Sequence, residues 1–300
     1  MKKKIFTTIV GWAIAFIIIF FLTKVFLSHW DRVNDFNWDI NYWMAAASIP
    51  FTLFSFCWSA YVFYRLLIIQ GTKIDFMSVF KVMTIANLGI YVPGKIWGWV
   101  GLAYYTKRAG ISFTHMGTSV IISQVLNVVL YLMYGSLAFY FIPQFNRFSW
   151  ITFAAVPLGI LFIHPYFINH WLNFLLKLFK RATIMIDFSF TDIIKIGGLC
   201  VIGLVSHGIG FALFSNSIFL LPVKGTLLTL FIFPLSYILG YLTILVPGGI
   251  GVRESIITYG LGFFMPVYFA IIIAFGYRLF CLIIRIFPTI LAIRIRFSDP

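Results

Sequence analysis

Two short runs in this sequence combine helix-breaking residues with charge: Tyr91-Val92-Pro93-Gly94-Lys95 and Leu245-Val246-Pro247-Gly248-Gly249-Ile250-Gly251-Val252-Arg253-Glu254. Each interrupts a largely apolar stretch, Phe76–Thr106 in the first case and Thr226–Phe264 in the second. Proline has no amide to donate and glycine takes backbone angles that other residues avoid, so a helix breaks at both places. A broken helix exposes free amides, and the amides of a helix amino terminus bind phosphate. Lys95 and Arg253 stand at the breaks, and Arg278, in Gly276-Tyr277-Arg278, lies deep in a third apolar run.

Charges inside hydrocarbon are costly and therefore mark candidate function. The set within apolar segments is Lys81, Lys95, Arg253, Glu254, Arg278 and Arg285, and only Glu254 among them is acidic. One carboxylate cannot neutralise so many cations. A cavity that they shared would attract an anion such as a phosphate or a phospholipid headgroup. The candidate substrate-binding set is accordingly Pro93, Gly94, Lys95, Pro247, Gly248, Gly249, Gly251, Arg253, Glu254 and Arg278. Glu254 serves equally well as a structural partner for Arg253, Arg278 or Lys95, or as a handle for a proton or a headgroup. Lys81 and Arg285 read as snorkelling side chains. Asn87, Gln124, Asn127 and Asn216 read as interhelical hydrogen-bond glue.

Other chemistry finds little support. The histidines (His29, His115, His164, His170, His207) have no ligand spacing, and Cys57, Cys200 and Cys281 form no CxxC, so no metal and no cofactor are expected. The glycines after Pro247 lack the Gly-Lys-Ser/Thr ending of a phosphate-binding loop. Asp31, Asp35 and Asp39 could imitate the acidic motif of a membrane glycosyltransferase, but a solvated loop accounts for them. With neither a nucleophile and base nor a carboxylate pair in view, the chain is not expected to be an enzyme.

The elements that must position these residues are membrane helices. The chain is 62% hydrophobic and 10% charged, with a mean hydropathy of +1.01, whereas soluble domains carry about 25% charged residues. The net charge of +14 is dispersed between apolar blocks, which sets topology and excludes a face for nucleic acid. Met1-Lys2-Lys3-Lys4 places the amino terminus in the cytoplasm, and the apolar run after it is too long for a cleaved signal. A first span over Ile5–Leu27 leads to an acidic outer loop, His29–Asn41. Spans follow over Tyr42–Ile69, His115–Phe141, Trp150–Ile163, Ile193–Leu220 and Val267–Ile293. Pro165–Asp192 has the apolar spacing and basic flank of an amphipathic helix on the cytoplasmic face. Basic residues fall mostly inside, and both termini are expected in the cytoplasm.

The fold class predicted is an all-α polytopic membrane protein, with about six full transmembrane helices plus two re-entrant helical hairpins in an inverted-repeat arrangement. Residues 1–300 form one integral membrane domain. Its first half, about 1–141, holds the hairpin 76–106, and its second half, about 150–300, holds the hairpin 226–264. The first hairpin enters from the cytoplasm and the second from outside. Two proline-kinked ordinary spans are the alternative.

With these motifs in place, the chain resembles the lysylphosphatidylglycerol synthase transmembrane (flippase) domain family. The resemblance rests on Pro93-Gly94-Lys95, Lys107-Arg108-Ala109-Gly110, Pro247 through Glu254, and Tyr277-Arg278 followed by Pro288. It covers nearly the whole chain. Family members fused to a soluble aminoacyl-transfer domain make and flip aminoacylated phosphatidylglycerol. This sequence ends at Pro300, so the synthase activity is not expected. The resemblance implies translocation of an anionic lipid or lipid-linked saccharide between leaflets of the plasma (inner) membrane, with the headgroup on the cations at the broken-helix tips. The expected partner is therefore a membrane lipid, an anionic phospholipid or a polyprenyl-phosphate-linked sugar, and no nucleic acid. The competing expectation is an accessory subunit or transferase in surface-polysaccharide or lipid-linked glycan assembly, partnered by a glycosyltransferase or by a second copy.

Overall fold

The computed structural model describes residues 16–34, 38–88, 102, 104, 106, 108–178, 188–243 and 246–294. Among the described residues every regular element is helical. In chain order they are α1 (Phe16–Leu27), α2 (Trp30–Asn34), α3 (Tyr42–Ile69), α4 (Phe76–Leu88), α5 (Phe113–Gly135), α6 (Trp150–Ile163), α7 (Pro165–Leu178), α8 (Phe190–Ile218), α9 (Val223–Leu242), α10 (Val252–Leu261) and α11 (Val267–Arg294). Short 3-10 turns follow α5 and precede α10. Among the described residues five stretches are long and apolar enough to cross a bilayer: Tyr42–Ile69, Thr114–Tyr140, Phe190–Ile218, Val223–Leu242 and Val267–Arg294. Helix α6 and the start of α7 pass the same test only together, and a 71° bend separates them. The chain is thus an all-α polytopic membrane protein, as its composition predicts. Helix α7 carries Tyr166, Trp171 and Phe174 exposed and Ile168 buried, in line with a helix that lies across the bundle's end rather than through it.

Helix starts follow local chemistry. Asn41 Oδ1 accepts the Met44 amide at 3.1 Å and starts α3, Ser189 Oγ accepts the Asp192 amide at 3.1 Å and starts α8, and Asp75 Oδ2 accepts the Ser78 amide at 2.8 Å ahead of α4. Each satisfies a donor that the helix cannot.

Between helices, lipid supplies no hydrophobic drive, so small residues and polar contacts hold the bundle together. Helices α3 and α8 pack closely along their length. Ser206 Oγ donates to the Phe51 carbonyl at 2.9 Å, Trp58 Nε1 donates to the Leu199 carbonyl at 2.7 Å, and Gly210 lies against Ser48 and Thr52. On the other side of α8, a Cβ at Gly208 would sit 2.9 Å from the Leu230 carbonyl oxygen of α9. Backbone cannot step aside, so Gly208→Ala is expected to destabilise by about 1–3 kcal/mol. Gly198→Ala, on the same helix with nothing within 4 Å of its Cβ, should be neutral or stabilising. Thermal unfolding of both variants in detergent checks the pair.

The helix ends define the topology. The Asn41 amide donates to the Ser217 carbonyl at 2.9 Å, and Trp38 meets Phe269 edge-on at 5.5 Å. The start of α3, the end of α8 and the start of α11 therefore share one end, called here the 38–41 end. The opposite end joins Gln70 and Thr72 to the start of α5, with Gln70 Nε2 and Ser119 Oγ 2.6 Å apart. Helices α3 and α11 therefore begin at the end where α8 finishes.

Helices α9 and α10 form an antiparallel hairpin. Gly240 faces Arg253 and Gly249, Gly260 faces Ile232 and Leu228, and Gly225 faces Phe264. Both free ends of the hairpin lie at the 38–41 end. The arms are unequal, 20 residues in α9 and 10 in α10. The sequence reading has both arms short. Instead α9 passes through Pro234 unbroken as a continuous 20-residue helix, so only the returning arm is a short helix. The other expected hairpin, 76–106, has its break outside the described residues.

Candidate functional site

The break between α9 and α10 owes its shape to three glycines in the left-handed region, Gly248 (φ 62°), Gly249 (φ 64°) and Gly251 (φ 86°). Side chains are strained there. Gly249 also lies so near Gly240 that a Cβ would come within 2.7 Å of its carbonyl oxygen. Two facing glycines thus let the hairpin close, and a Cβ on Gly240 would also overlap Arg253 Cγ.

Helix α10 starts just past this turn with its amides freed, and Glu254 answers one of them. Its Oε2 accepts the Gly251 amide at 2.6 Å, while Oε1 takes Arg278 Nη1 at 2.5 Å. The second guanidinium nitrogen lies 3.4 Å from the Gly248 carbonyl. Glu254 is 2% exposed and Arg278 26%. Of the roles open to Glu254 in the sequence, the geometry places it as the partner of Arg278 and the cap of α10. Arg278 in turn pins α11 to the turn. It lies about 16 Å along α11 from Val267, at about 1.5 Å per residue. That is near the middle of a hydrocarbon layer about 30 Å thick.

Arg253 is held differently. Its guanidinium lies 4.4 Å from the Tyr237 ring centroid and 5.9 Å from that of Phe233. Glu254 pairs with Arg278, and Arg253 keeps its charge against aromatic faces.

Tyr237 is also a wall of a cavity of about 280 Å³ enclosed by α3, α4, α5, α8, α9 and α11. Arg285 is its cation, 4.2 Å from the Phe56 ring centroid. From Arg278 to Arg285 is about two helical turns, so α11 carries both arginines on one stripe with Cys281 between them. Helix α5 contributes Gln124, Asn127 and Tyr131, and α9 contributes Tyr237 and Tyr241. His207 closes one side, with Nδ1 2.9 Å from Ser55 Oγ and its ring stacked on Phe233 at 4.4 Å. No carboxylate stands among the described lining residues.

The residues singled out in the sequence thus divide. Gly248, Gly249, Gly251, Arg253, Glu254 and Arg278 come together at one turn, which Pro247 opens as the first residue of a 3-10 turn. Pro93, Gly94 and Lys95 lie outside the described residues. Arg285, which the sequence presents as a snorkelling side chain, and Gln124 and Asn127, which it presents as interhelical glue, line the cavity. A signal for them existed: Gln124, Asn127 and Tyr131 repeat at i, i+3 and i+7, a polar stripe on one face of an otherwise apolar helix.

Comparison with curated proteins gives no match. The match to a family is extensive, running over residues 7–289 with the family described as the lysylphosphatidylglycerol synthase TM region. It spans the hairpin, the Arg278–Glu254 pair and the cavity walls alike. The chain belongs to the lysylphosphatidylglycerol synthase TM region family.

Proposed function

We propose that this protein moves an anionic lipid, a phospholipid or a lipid-linked saccharide, between the leaflets of its membrane. The observation that carries the reading is the cavity between the helices with Arg285 in its wall and Arg253 stacked on the Tyr237 ring that lines it. A lipid crossing the bilayer unaided must drag its phosphate through hydrocarbon, where an unpaired charge is very costly. A cationic, polar cavity among the helices lowers that barrier, and the acyl chains can stay in lipid meanwhile. Two further features support the reading. The one carboxylate near the arginines is already engaged by Arg278, and Arg253 and Arg285 give this part of the bundle a cationic character that suits an anion. The site also lies beside a broken helix, a device from which transporters build their substrate sites.

The test is reconstitution in vesicles that carry a trace of acyl-labelled phosphatidylglycerol, with a membrane-impermeant quencher added outside. Wild-type protein should expose the inner-leaflet label well faster than protein-free vesicles. Arg285→Ala should slow that exposure at least about tenfold, the effect of removing one charge-assisted contact worth roughly 1.5–3 kcal/mol. Equal rates with wild-type, Arg285→Ala and empty vesicles, repeated with a polyprenyl-phosphate sugar as the labelled lipid, would overturn the reading.

A further inference from the structure

The same cavity also indicates what the phosphate is attached to, an inference that rests on the reading just given. The side chains of Gln124, Asn127, Tyr131, Tyr237 and Tyr241 line it. Among the described residues these amides and hydroxyls have no hydrogen-bond partner. They face open space in the cavity, where water or a ligand can meet them. Two amides and three hydroxyls offer both donors and acceptors, which matches hydroxyl groups on a ligand. The rings of Trp58, Tyr131 and Tyr237 in the same wall provide apolar faces against which the C–H side of a polyol or sugar can lie.

What the wall lacks is equally specific. A carboxylate is the strongest partner for an ammonium group, and none is found among the described lining residues, whose one charged side chain is the cation Arg285. The chain has eight Asp and Glu in all, and Glu254 alone lies within an apolar segment. Both of its oxygens are occupied, by the Gly251 amide and by Arg278. We infer that the cavity takes a phosphate headgroup whose remainder is uncharged and rich in hydroxyls, a glycerol or a sugar, and rejects one that carries an amino group. Arg285 holds the phosphate, Gln124 and Asn127 hold the hydroxyls, and an aminoacylated headgroup is left with its ammonium unpaired beside a guanidinium.

Binding in detergent tests this apart from transport. Native mass spectrometry of the purified protein would compare phosphatidylglycerol, a glycosyl-phosphate polyprenol and lysylphosphatidylglycerol in pairwise competition. The glycerol or sugar headgroup should be retained at least about tenfold better than the lysyl one, an unpaired charge being costly to bury. Which of the two is retained more identifies the source of the hydroxyls. The variant Gln124→Leu/Asn127→Leu should lose that preference, while Gln124→Asn alone keeps most of it. Equal retention of all three lipids, or a preference for the lysyl lipid, would overturn the inference even if vesicles show transport. A clear preference without movement in vesicles would instead leave the headgroup assignment standing and remove the transport reading.

Discussion

Glu254→Ala should lower the stability of the protein by about 3 kcal/mol, the low end for breaking a buried ion pair. Glu254 is 2% exposed, and its loss leaves two groups without a partner: the Gly251 amide at the start of α10, and the Arg278 guanidinium at mid-depth. The low end applies because Arg278 retains 26% exposure and can turn toward whatever water reaches it. Arg278→Ala should cost less, because Glu254 keeps the Gly251 amide as a partner. The double variant Glu254→Ala/Arg278→Ala should be less damaged than the two single losses summed, by at least about 1 kcal/mol of coupling. Thermal unfolding in detergent measures all three. The experiment also separates the two roles that the sequence leaves open for this residue. If Glu254→Ala abolished lipid movement at unchanged stability, the carboxylate would be a contact for cargo and not a strut.

The second large effect is expected at Gly249. A methyl group there meets the Gly240 carbonyl at 2.7 Å and its Cα at 2.9 Å, in addition to forcing a side chain into the left-handed region at φ 64°. Left-handed strain costs about 1–2 kcal/mol and overpacking about 1–3 kcal/mol, so Gly249→Ala should lose about 3 kcal/mol and pry α9 from α10. Gly248→Ala provides the control. It has nearly the same φ, 62°, but its Cβ would meet nothing nearer than Arg278 Nη2 at 3.5 Å. It should lose about 1 kcal/mol, the strain alone. Unfolding temperatures in one detergent compare the two. Similar losses would mean that the closeness of Gly240 and Gly249 does not hold the hairpin shut.

How far the sequence reaches depends on the kind of signal. Membrane spans are long and apolar, so Tyr42–Ile69 is readable to the residue and coincides with α3. The break at Pro247–Gly251 is legible because proline and glycine act locally, whatever surrounds them. The length of the arm before it is not, because Pro234 looks like a second breaker and yet sits inside a continuous α9. Neighbouring helices at membrane depth can absorb such a proline. Partner choice is the least local property. Sequence gives three cations that could meet Glu254, and only the fold brings Arg278 within 2.5 Å while setting Arg253 on Tyr237. Arg285 illustrates the same limit. An arginine two turns from Arg278 and near a helix end resembles an anchor until the other helices close a cavity around it.

The claim on which all of this turns is that a lipid phosphate enters the cavity beside Arg285. Photo-crosslinking addresses it directly, using a phosphatidylglycerol analogue with a photoreactive group next to the phosphate, followed by peptide mass spectrometry of the membrane-reconstituted protein. Adducts should fall on the inward stripe of α5, at Gln124, Asn127 and Tyr131, and on α11 near Arg285. They should diminish when unlabelled phosphatidylglycerol competes. Adducts confined to lipid-facing positions such as Phe153 of α6, Trp171 of α7 or Phe287 of α11, unchanged by competitor, would contradict it.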